Sequence, residues 1–431
     1  MRLSREQLNY IKEKMDVEQL WSFSKVSTFD QCKWLFKLKY IDKIRVRGDS
    51  CYTFFGSLAH EIIQDFYEGK HTYDEMISKF DEEVLKWKLA DDPKLRFNTD
   101  EIRDGYILNI RDYFQNVKTI PQSVINERAV IAVFEGLEKY VFQGYIDSEF
   151  LDEDGNLIIM DYKTSSMSGF TGKKLLEKAR QLMIYAIGIS QHGRFFNGEV
   201  MQFPLEKIKI RYDMMKYCNV SFLQKNGSLK VTKAERRQWV AHISNQVRKD
   251  LEGVSKDIEK LEKEIAKLTK KIGMKKTTPE EAEGYQVACG DLEHEIKALR
   301  LVEFDPFKIS ELITEAVESN SLSCMPEFIQ NKYTVDNCII DVDLSEEVVS
   351  EFKDSLVSTL DEIVTRSKEE NKDEAFNREH INNGDSFFCV NLCEMKDHCS
   401  FYKEYKEHNE MFVTKREEPS QDDLLAMLGL S

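Results

Sequence analysis

Between Tyr140 and Lys163 the chain reads as two strands folded back on one turn, and this hairpin constrains whatever surrounds it. Leu151-Asp152-Glu153-Asp154-Gly155-Asn156-Leu157 carries an Asp-Gly pair within a polar run, a hairpin-turn signal. On either side Tyr140-Val141-Phe142, Tyr145-Ile146 and Leu157-Ile158-Ile159-Met160 are aromatic, β-branched or apolar, as strands require. A hairpin symmetric about Asp154 sets residue 147 opposite residue 161. Facing residues of an antiparallel pair lie about 4.5–5.5 Å apart at Cα, so Asp147 and Asp161 can grip one divalent cation. Lys163 lies two positions past Asp161 and shares its face, because strand side chains alternate. Two acids and a lysine around a hard metal form a phosphodiester-cleaving site, in which the ion activates water and the lysine stabilises developing charge. Read singly, Asp-x-Lys is a solvated strand face and Asp147 a turn residue. Asp161, however, closes an apolar run where a casual charge is costly to bury, and spacing and burial together favour the site.

Other segments carry weaker signals. Residues 56–66 read as an amphipathic helix with Leu58, Ile62, Ile63 and Phe66 on its apolar side. His60 lies within it, and a lone histidine there is more often structural than a ligand. Gln181 and Tyr185 stand one helical turn apart on a common face, where plain helix packing would also put them. Glu127 precedes the strand-like run 129–134 and is a candidate further acid near the metal.

Gly144-x-Ile146-Asp147, Ile159-Met160-Asp161-Tyr162-Lys163-Thr164 and Gln181-Leu182-x-x-Tyr185 resemble the core of RecB-like nucleases of the PD-(D/E)XK superfamily. Phe55-Gly56-Ser57-Leu58-Ala59-His60 resembles that family's histidine motif, and the four motifs follow the family's order over residues 55–185. The resemblance implies an α/β fold with a central mixed sheet flanked by helices, Asp147 and Asp161 on adjacent strands. It implies that His60, Asp147, Asp161 and the backbone carbonyl of Tyr162 hold Mg²⁺ or Mn²⁺. It further implies that Lys163 positions or activates the attacking water and stabilises the phosphate, and that Gln181 and Tyr185 position DNA. The expected activity is that of a DNA nuclease, an exonuclease above all, working in recombination, repair or replication.

Three of the nine cysteines fall within eleven residues, Cys389, Cys393 and Cys399. With no apolar leader after Met1 and an odd cysteine count, the chain reads as one for a reducing cytoplasm, bacterial or phage-infected, where clustered cysteines bind metal or react. Ligand type alone leaves zinc and an iron–sulfur cluster both open, and His398 beside Cys399 keeps zinc in view. Cys32, within Ser27-Thr28-Phe29-Asp30-Gln31-Cys32-Lys33-Trp34, resembles the N-terminal ligand of the iron–sulfur branch of RecB-like nucleases, which includes AddB-type and CRISPR-associated exonucleases. That resemblance implies a [4Fe-4S] cluster on Cys32, Cys389, Cys393 and Cys399. The spacing departs from it, since three residues separate Cys389 from Cys393 where the family has two, and Cys338 is a possible substitute. Cys51, Cys218, Cys289 and Cys324 read as small buried hydrophobes.

The 431 residues, 41% hydrophobic with 26 phenylalanines, suffice for a sizeable core. No run nears the ~20 apolar residues that span a bilayer. A net charge of −16 is awkward for a DNA-binding chain, but local basic strips make the contacts. Candidates are Lys33, Lys37, Lys39, Lys43, Arg45, Arg47, Lys173 and Lys174. No phosphate loop of the Gly-x-x-x-x-Gly-Lys-Ser/Thr type occurs, so a helicase motor would be a separate partner.

Val247, Leu251, Val254, Ile258, Leu261, Ile265, Leu268 and Ile272 alternate at spacings of four and three, a heptad seam. Val287, Leu292, Ile296 and Leu299 offer a returning helix, so residues 245–300 are expected to form an inserted antiparallel coiled-coil arm. Lysines 267, 270, 271, 275 and 276 cluster at its tip and favour a DNA-facing or partner-binding role. Residues 1–244 and 301–412 then make the two parts of the nuclease core, and 413–431 a flexible tail whose end, Asp422-Asp423-Leu424-Leu425-Ala426-Met427-Leu428-Gly429-Leu430, suits a docking peptide for a helicase or recombination protein. Residues 207–212 read as a strand, 232–247 as a helix entering the arm, and 343–370 as a helix with Val348, Val349, Phe352, Leu356, Leu360 and Ile363 on one side. Two other classes fit parts of the pattern: a non-catalytic DNA-binding scaffold of a helicase–nuclease assembly, and an iron–sulfur redox protein.

Overall fold

The computed structural model describes residues 3–46, 50–134, 139–196, 198–224, 226–274, 276–382, 384 and 386–414, with side chains to residue 409. Arg47, Lys275 and the tail from residue 415 lie outside the described residues. In chain order the elements are α1 (Arg5–Lys14), β1 (Leu20–Trp21), α2 (Phe23–Gln31), α3 (Lys33–Phe36), α4 (Cys51–Tyr67), α5 (Tyr73–Ala90), α6 (Asp100–Asn116), β2 (Ile125–Val133), β3 (Val141–Leu151) and β4 (Leu157–Lys163). There follow α7 (Gly172–His192), β5 (Arg194–Phe196), β6 (Glu199–Met201), β7 (Ile208–Leu223), β8 (Leu229–Glu235), α8 (Trp239–Ile272), α9 (Pro279–Arg300), α10 (Pro306–Ser319), α11 (Glu327–Gln330), β9 (Thr334–Val342), α12 (Glu346–Lys368), α13 (Lys372–Ala375) and α14 (Ser400–Thr414). Two compact units result, one of Met1–Asp100, Ile120–Asp213 and Ile340–Ser431, the other of Glu101–Thr119 and Met214–Ile339.

In the first unit β3 is the hub. It pairs antiparallel with β2 and with β4, and in parallel with β1 through Leu20–Val141 and Trp21–Phe142, which makes the sheet mixed. The β3–β4 ladder runs from Leu151–Leu157 to Ser148–Met160, so its next step sets residue 147 beside residue 161, the register expected of a turn centred on Asp154. Asp152 closes that turn by accepting from the Asn156 amide at 2.8 Å, and Gly155 takes φ +73°, a region glycine enters without steric cost. The strand β2 starts earlier than the expected 129, so Glu127 lies inside it rather than before it, at φ +48°.

The register of α7 against the sheet depends on two glycines. A Cβ on Gly144 would sit 2.2 Å from the Tyr185 ring, and one on Gly188 would sit 2.4 Å from the Ile131 carbonyl oxygen. Only absent side chains allow this approach. The expected helix at 56–66 is the centre of α4, capped by Ser50 accepting from the Thr53 amide, with Leu58, Ile62 and Ile63 buried and Phe66 half-buried. The helix expected at 343–370 is α12, which buries Val349, Phe352, Leu356, Leu360 and Ile363.

The second unit has its own core, in which Cys218, Val220 and Phe222 of β7 meet Val240, Ile243, Val247 and Leu251 of α8 and Ile309, Leu312 and Ile313 of α10. Residues 232–235, expected to be helical, instead form the end of β8, which pairs antiparallel with β7 from Leu223–Leu229 to Tyr217–Glu235. The turn at Gly227 (φ +80°) returns the chain before the helix starts at Trp239, so hairpin pairing overrides the helical periodicity there.

The heptad seam of α8 serves two partners. Val247 and Leu251 belong to that core, while Val254 and Ile258, with Leu261 and Ile265, pack against Ile296 and Leu299 of α9. Val287, expected on the returning seam, is 62% exposed; apart from Ala282 and Ala288, the half-buried and buried positions of α9 are Tyr285, Cys289, Leu292, Ile296 and Leu299, at spacings of four, three, four and three. The tip lysines also have a plain explanation. Lys270 and Lys271 occupy the last turn of α8, and Glu280 and Glu281 the first turn of α9, the charges that helix ends favour. Among the described residues no helix is long and apolar enough to cross a membrane.

Candidate active site

His60, Asp147 and Asp161 converge. One ligand atom from each lies within 4.8 Å of the others, the sole such group of histidine, cysteine or acid side chains among the described residues. Asp147 comes from β3 and Asp161 from β4, as the ladder dictates, and α4 brings His60 to them. His60 Nδ1 lies 3.2 Å from Asp147 Oδ2, and its Nε2 lies 2.6 Å from the backbone carbonyl oxygen of Tyr162. Lys163 Nζ stands 2.5 Å from Asp161 Oδ2, on the shared face that strand alternation requires. Asp161 is 6% exposed and forms the floor, whereas Asp147 and His60 line an open cleft of about 710 Å³.

The electrostatics separate the two acids. Burial, and then the charge of Asp161, hold the Asp147 carboxyl well above the usual carboxylate range. Burial alone would raise Asp161 too, but Lys163 and a hydrogen bond from Asp147 outweigh it and keep Asp161 below its ordinary value. Like charges this close disfavour ionising both acids at once, and the cost falls on Asp147. Burial lowers His60, favouring the neutral imidazole that a metal needs. Asp161 likewise keeps Lys163 charged in spite of burial.

Gln181 and Tyr185 are together, but not equally placed. Gln181 Nε2 donates to Tyr185 Oη at 2.8 Å; Gln181 is half-buried, while Tyr185 is 4% exposed and packed on Gly144. Glu127 lines the cleft with His60 and Asp147, and its register sets it across the ladder from Asp147. Sequence reading overlooked Ser57, Glu61, Gln64 and Glu68, which also line the cleft. The signal was available, since they recur at spacings of four, three and four residues along α4 and its C-cap, on the side that carries His60. Tyr212, recognised only as a strand residue, has its ring centroid 5.7 Å from Lys163 Nζ, a contact made by packing and invisible in local sequence.

The basic strip near the N-terminus is largely consumed within the protein. Lys33 pairs with Glu362 at 2.6 Å, Lys37 with Asp42 and Asp373 at 2.7 Å each, and Lys39 with Glu394. Lys37 is 7% exposed and also stacks on Trp34, so it is a buried tie rather than a DNA contact. Lys43, Arg45, Lys173 and Lys174 remain exposed.

The second constellation is a pocket where Cys32, Cys389, Cys393 and Cys399 line one small space with Trp34, Leu35, Leu38, Phe388 and Met395. Cys32 sits at the break between α2 and α3, and Cys389 in a π-helical turn, Phe388–Leu392. Cys338 instead lies in the second unit with Cys218, whose thiol burial pushes up to about 12. His398 is exposed and does not line the pocket. Of the other cysteines Cys51 and Cys218 are buried, while Cys289 and Cys324 are only partly so.

A family model described as the PD-(D/E)XK nuclease superfamily matches residues 20–400, a span that takes in every residue of both constellations. No curated protein matches the sequence.

Proposed function

The chain belongs to the PD-(D/E)XK nuclease superfamily, whose members are generally metal-dependent nucleases, and we propose that it digests DNA from its ends. The observation that carries this reading is the convergence of His60, Asp147 and Asp161 with Lys163 held on Asp161. The donor set fits a hard divalent ion. Two carboxyl groups whose mutual repulsion a cation would relieve, an imidazole held towards its neutral form and a carbonyl oxygen already meet, and the 2.6 Å between His60 Nε2 and Tyr162 O is close to the roughly 2.9 Å between adjacent ligands of an octahedral Mg²⁺.

In this reading His60, Asp147, Asp161 and the Tyr162 carbonyl hold Mg²⁺ or Mn²⁺. When bound, the ion supplies Lewis-acid charge at the scissile phosphate and makes a nearby water more acidic. Lys163, fixed by Asp161, presents its ammonium to the charge that develops on the phosphate. Gln181 touches the substrate, and Tyr185 holds Gln181 in place from the core. Glu127 adds a further carboxylate to the cleft wall, beside Glu61 and Glu68. Such an acidic wall repels a polyanion until cations compensate it, so binding of DNA and of metal are coupled.

We assign the four cysteines to a [4Fe-4S] cluster that ties the two ends of the chain together, and the packed pair α8–α9 to an antiparallel coiled-coil arm carried on the nuclease. The four thiols and their mainly apolar surroundings are the ligand type that such a cluster takes.

End-labelled linear DNA and covalently closed circles, incubated with iron-replete protein and Mg²⁺ or Mn²⁺, test the function. Linear molecules should lose label progressively, with chelation stopping the reaction and circles surviving. Cleavage of circles would make the enzyme an endonuclease, and failure to cut either substrate would remove the nuclease reading.

A further inference from the structure

One cation points into the cysteine pocket. Arg378 Nη1 donates to Cys32 Sγ at 3.4 Å and to Cys389 Sγ at 3.6 Å. The two sulfurs belong to segments 357 residues apart, so a single guanidinium nitrogen spans the junction between the chain's ends. Its Nε is fixed by the Glu379 carbonyl oxygen at 2.9 Å, which aims the rest of the fork inward. The other cation lining the pocket, Lys396, turns its ammonium to the Val390 carbonyl oxygen at 2.9 Å instead. The remaining lining is mainly apolar, with Trp34, Leu35, Leu38, Phe388 and Met395, so little else offsets negative charge there.

We propose that Arg378 is the charge-compensating partner of the cysteine centre, donating to two of its four thiolate ligands and thereby setting its reduction potential. The inference rests on the cluster assignment above. Four thiolates around an iron–sulfur core carry net negative charge in both common oxidation states, and reduction adds one more. An N–H donor to a ligand sulfur withdraws charge from the centre and stabilises the reduced form more than the oxidised one. Buried in apolar surroundings, such a bond has little competition from water. The guanidinium can do this for two sulfurs at once because Nη1 carries two N–H groups in a plane fixed by the Nε bond to Glu379, whereas an ammonium rotates freely.

The test is a redox titration of the anaerobically purified full-length protein, with dithionite as one-electron reductant, read by visible absorption and electron paramagnetic resonance. Arg378→Gln should shift the midpoint to more negative potential, raising the oxidised-to-reduced ratio about tenfold at a fixed poise, which is about 59 mV for one electron. Arg378→Lys, which keeps the charge but not the fork, should fall between Gln and wild type. An unchanged midpoint in Arg378→Gln overturns the inference, as does a lysine variant shifted as far as the glutamine one. If Arg378→Gln purifies without iron, reconstitution with ferrous iron and sulfide precedes the titration, and failure of both variants to reconstitute counts against charge compensation. Wild-type protein with no iron and no visible absorption defeats the cluster assignment itself, a result distinct from any of these.

Discussion

The carboxylate site and the cysteine pocket lie in the same unit, yet they ask opposite things of the chain. At the first, three donor atoms already sit within 4.8 Å, placed by neighbouring strands of one ladder and one helix. At the second, one sulfur from near the N-terminus meets three from residues 389–399, with one arginine between two of them. The ladder exists because its own backbone hydrogen bonds and core burial form it. The pocket closes where residues 32–38 meet residues 388–402, with Leu35, Leu38, Cys389, Met395 and Cys399 as its buried members. On the proposed assignments, the ready-made site would bind its ion as a guest, whereas the assembled one would make its bound group part of the scaffold.

Substitution should separate the two most widely. Lys163→Ala or Asp161→Ala is expected to reduce cleavage by at least about 10²–10³-fold, with iron content retained and Tm little altered, since Lys163 is partly exposed and can hydrate when Asp161 is gone. Cys399→Ser should instead lose iron, activity and stability together, the last on the order of a few kcal/mol. Metal-dependent cleavage, iron content and thermal melts on the same preparations check both. Wild-type cleavage by either active-site variant would refute the site assignment, and an iron-free Cys399→Ser protein with an unchanged melt would show the pocket to be no part of the scaffold.

A smaller effect sharpens why the first site is ready-made. Gly144→Ala places a methyl 2.2 Å from the buried Tyr185 ring, which must shift against the sheet three residues from Asp147. Overpacking of this kind costs about 1–3 kcal/mol. Melting temperature and cleavage rate should both fall, and combining Gly144→Ala with Tyr185→Ala should cost less than the sum of the two. Additive losses would show that the glycine serves something other than this contact.

Much of that site was legible because hairpin register is an arithmetic property of sequence. A turn centred on Asp154 fixes the partner of residue 147, and alternation fixes the face of Lys163. Helical spacing likewise fixed Gln181 over Tyr185, though not that Tyr185 would be buried beneath it. What escaped notice depends on contacts between distant segments. Nothing near Arg378 marks it as a neighbour of Cys32, and nothing near Lys37 marks Asp373 as its second partner. The seam of α8 misled differently. Its heptads are uniform, so periodicity could not reveal that Leu251 faces α10 while Val254 and Ile258 face α9. At 232–235 the turn at Gly227 and pairing with β7 outweighed a helical pattern.

The smallest expected effect concerns the proton that the ion must displace. Asp147 is held well above the ordinary carboxylate range by burial and by Asp161, so the metal-free fold binds a proton there more tightly than the unfolded chain does. Its contribution to stability is therefore present below the ordinary carboxylate range and is lost as pH rises through the raised value. Asp161 runs the other way, being lowered by Lys163 and Asp147, and it holds its charge until more acidic pH. A bound cation needs both ionised, so binding releases one proton while Asp147 is protonated. Affinity for Mn²⁺ should then rise about tenfold per pH unit over that range, about 1.4 kcal/mol, and level off above it. The metal-induced increase in Tm, measured from pH 5 to 8, should grow accordingly, and in Asp147→Asn the slope should vanish. A shift independent of pH in the wild type would mean that Asp147 carries no proton over that range, and that the ion meets two carboxylates already charged.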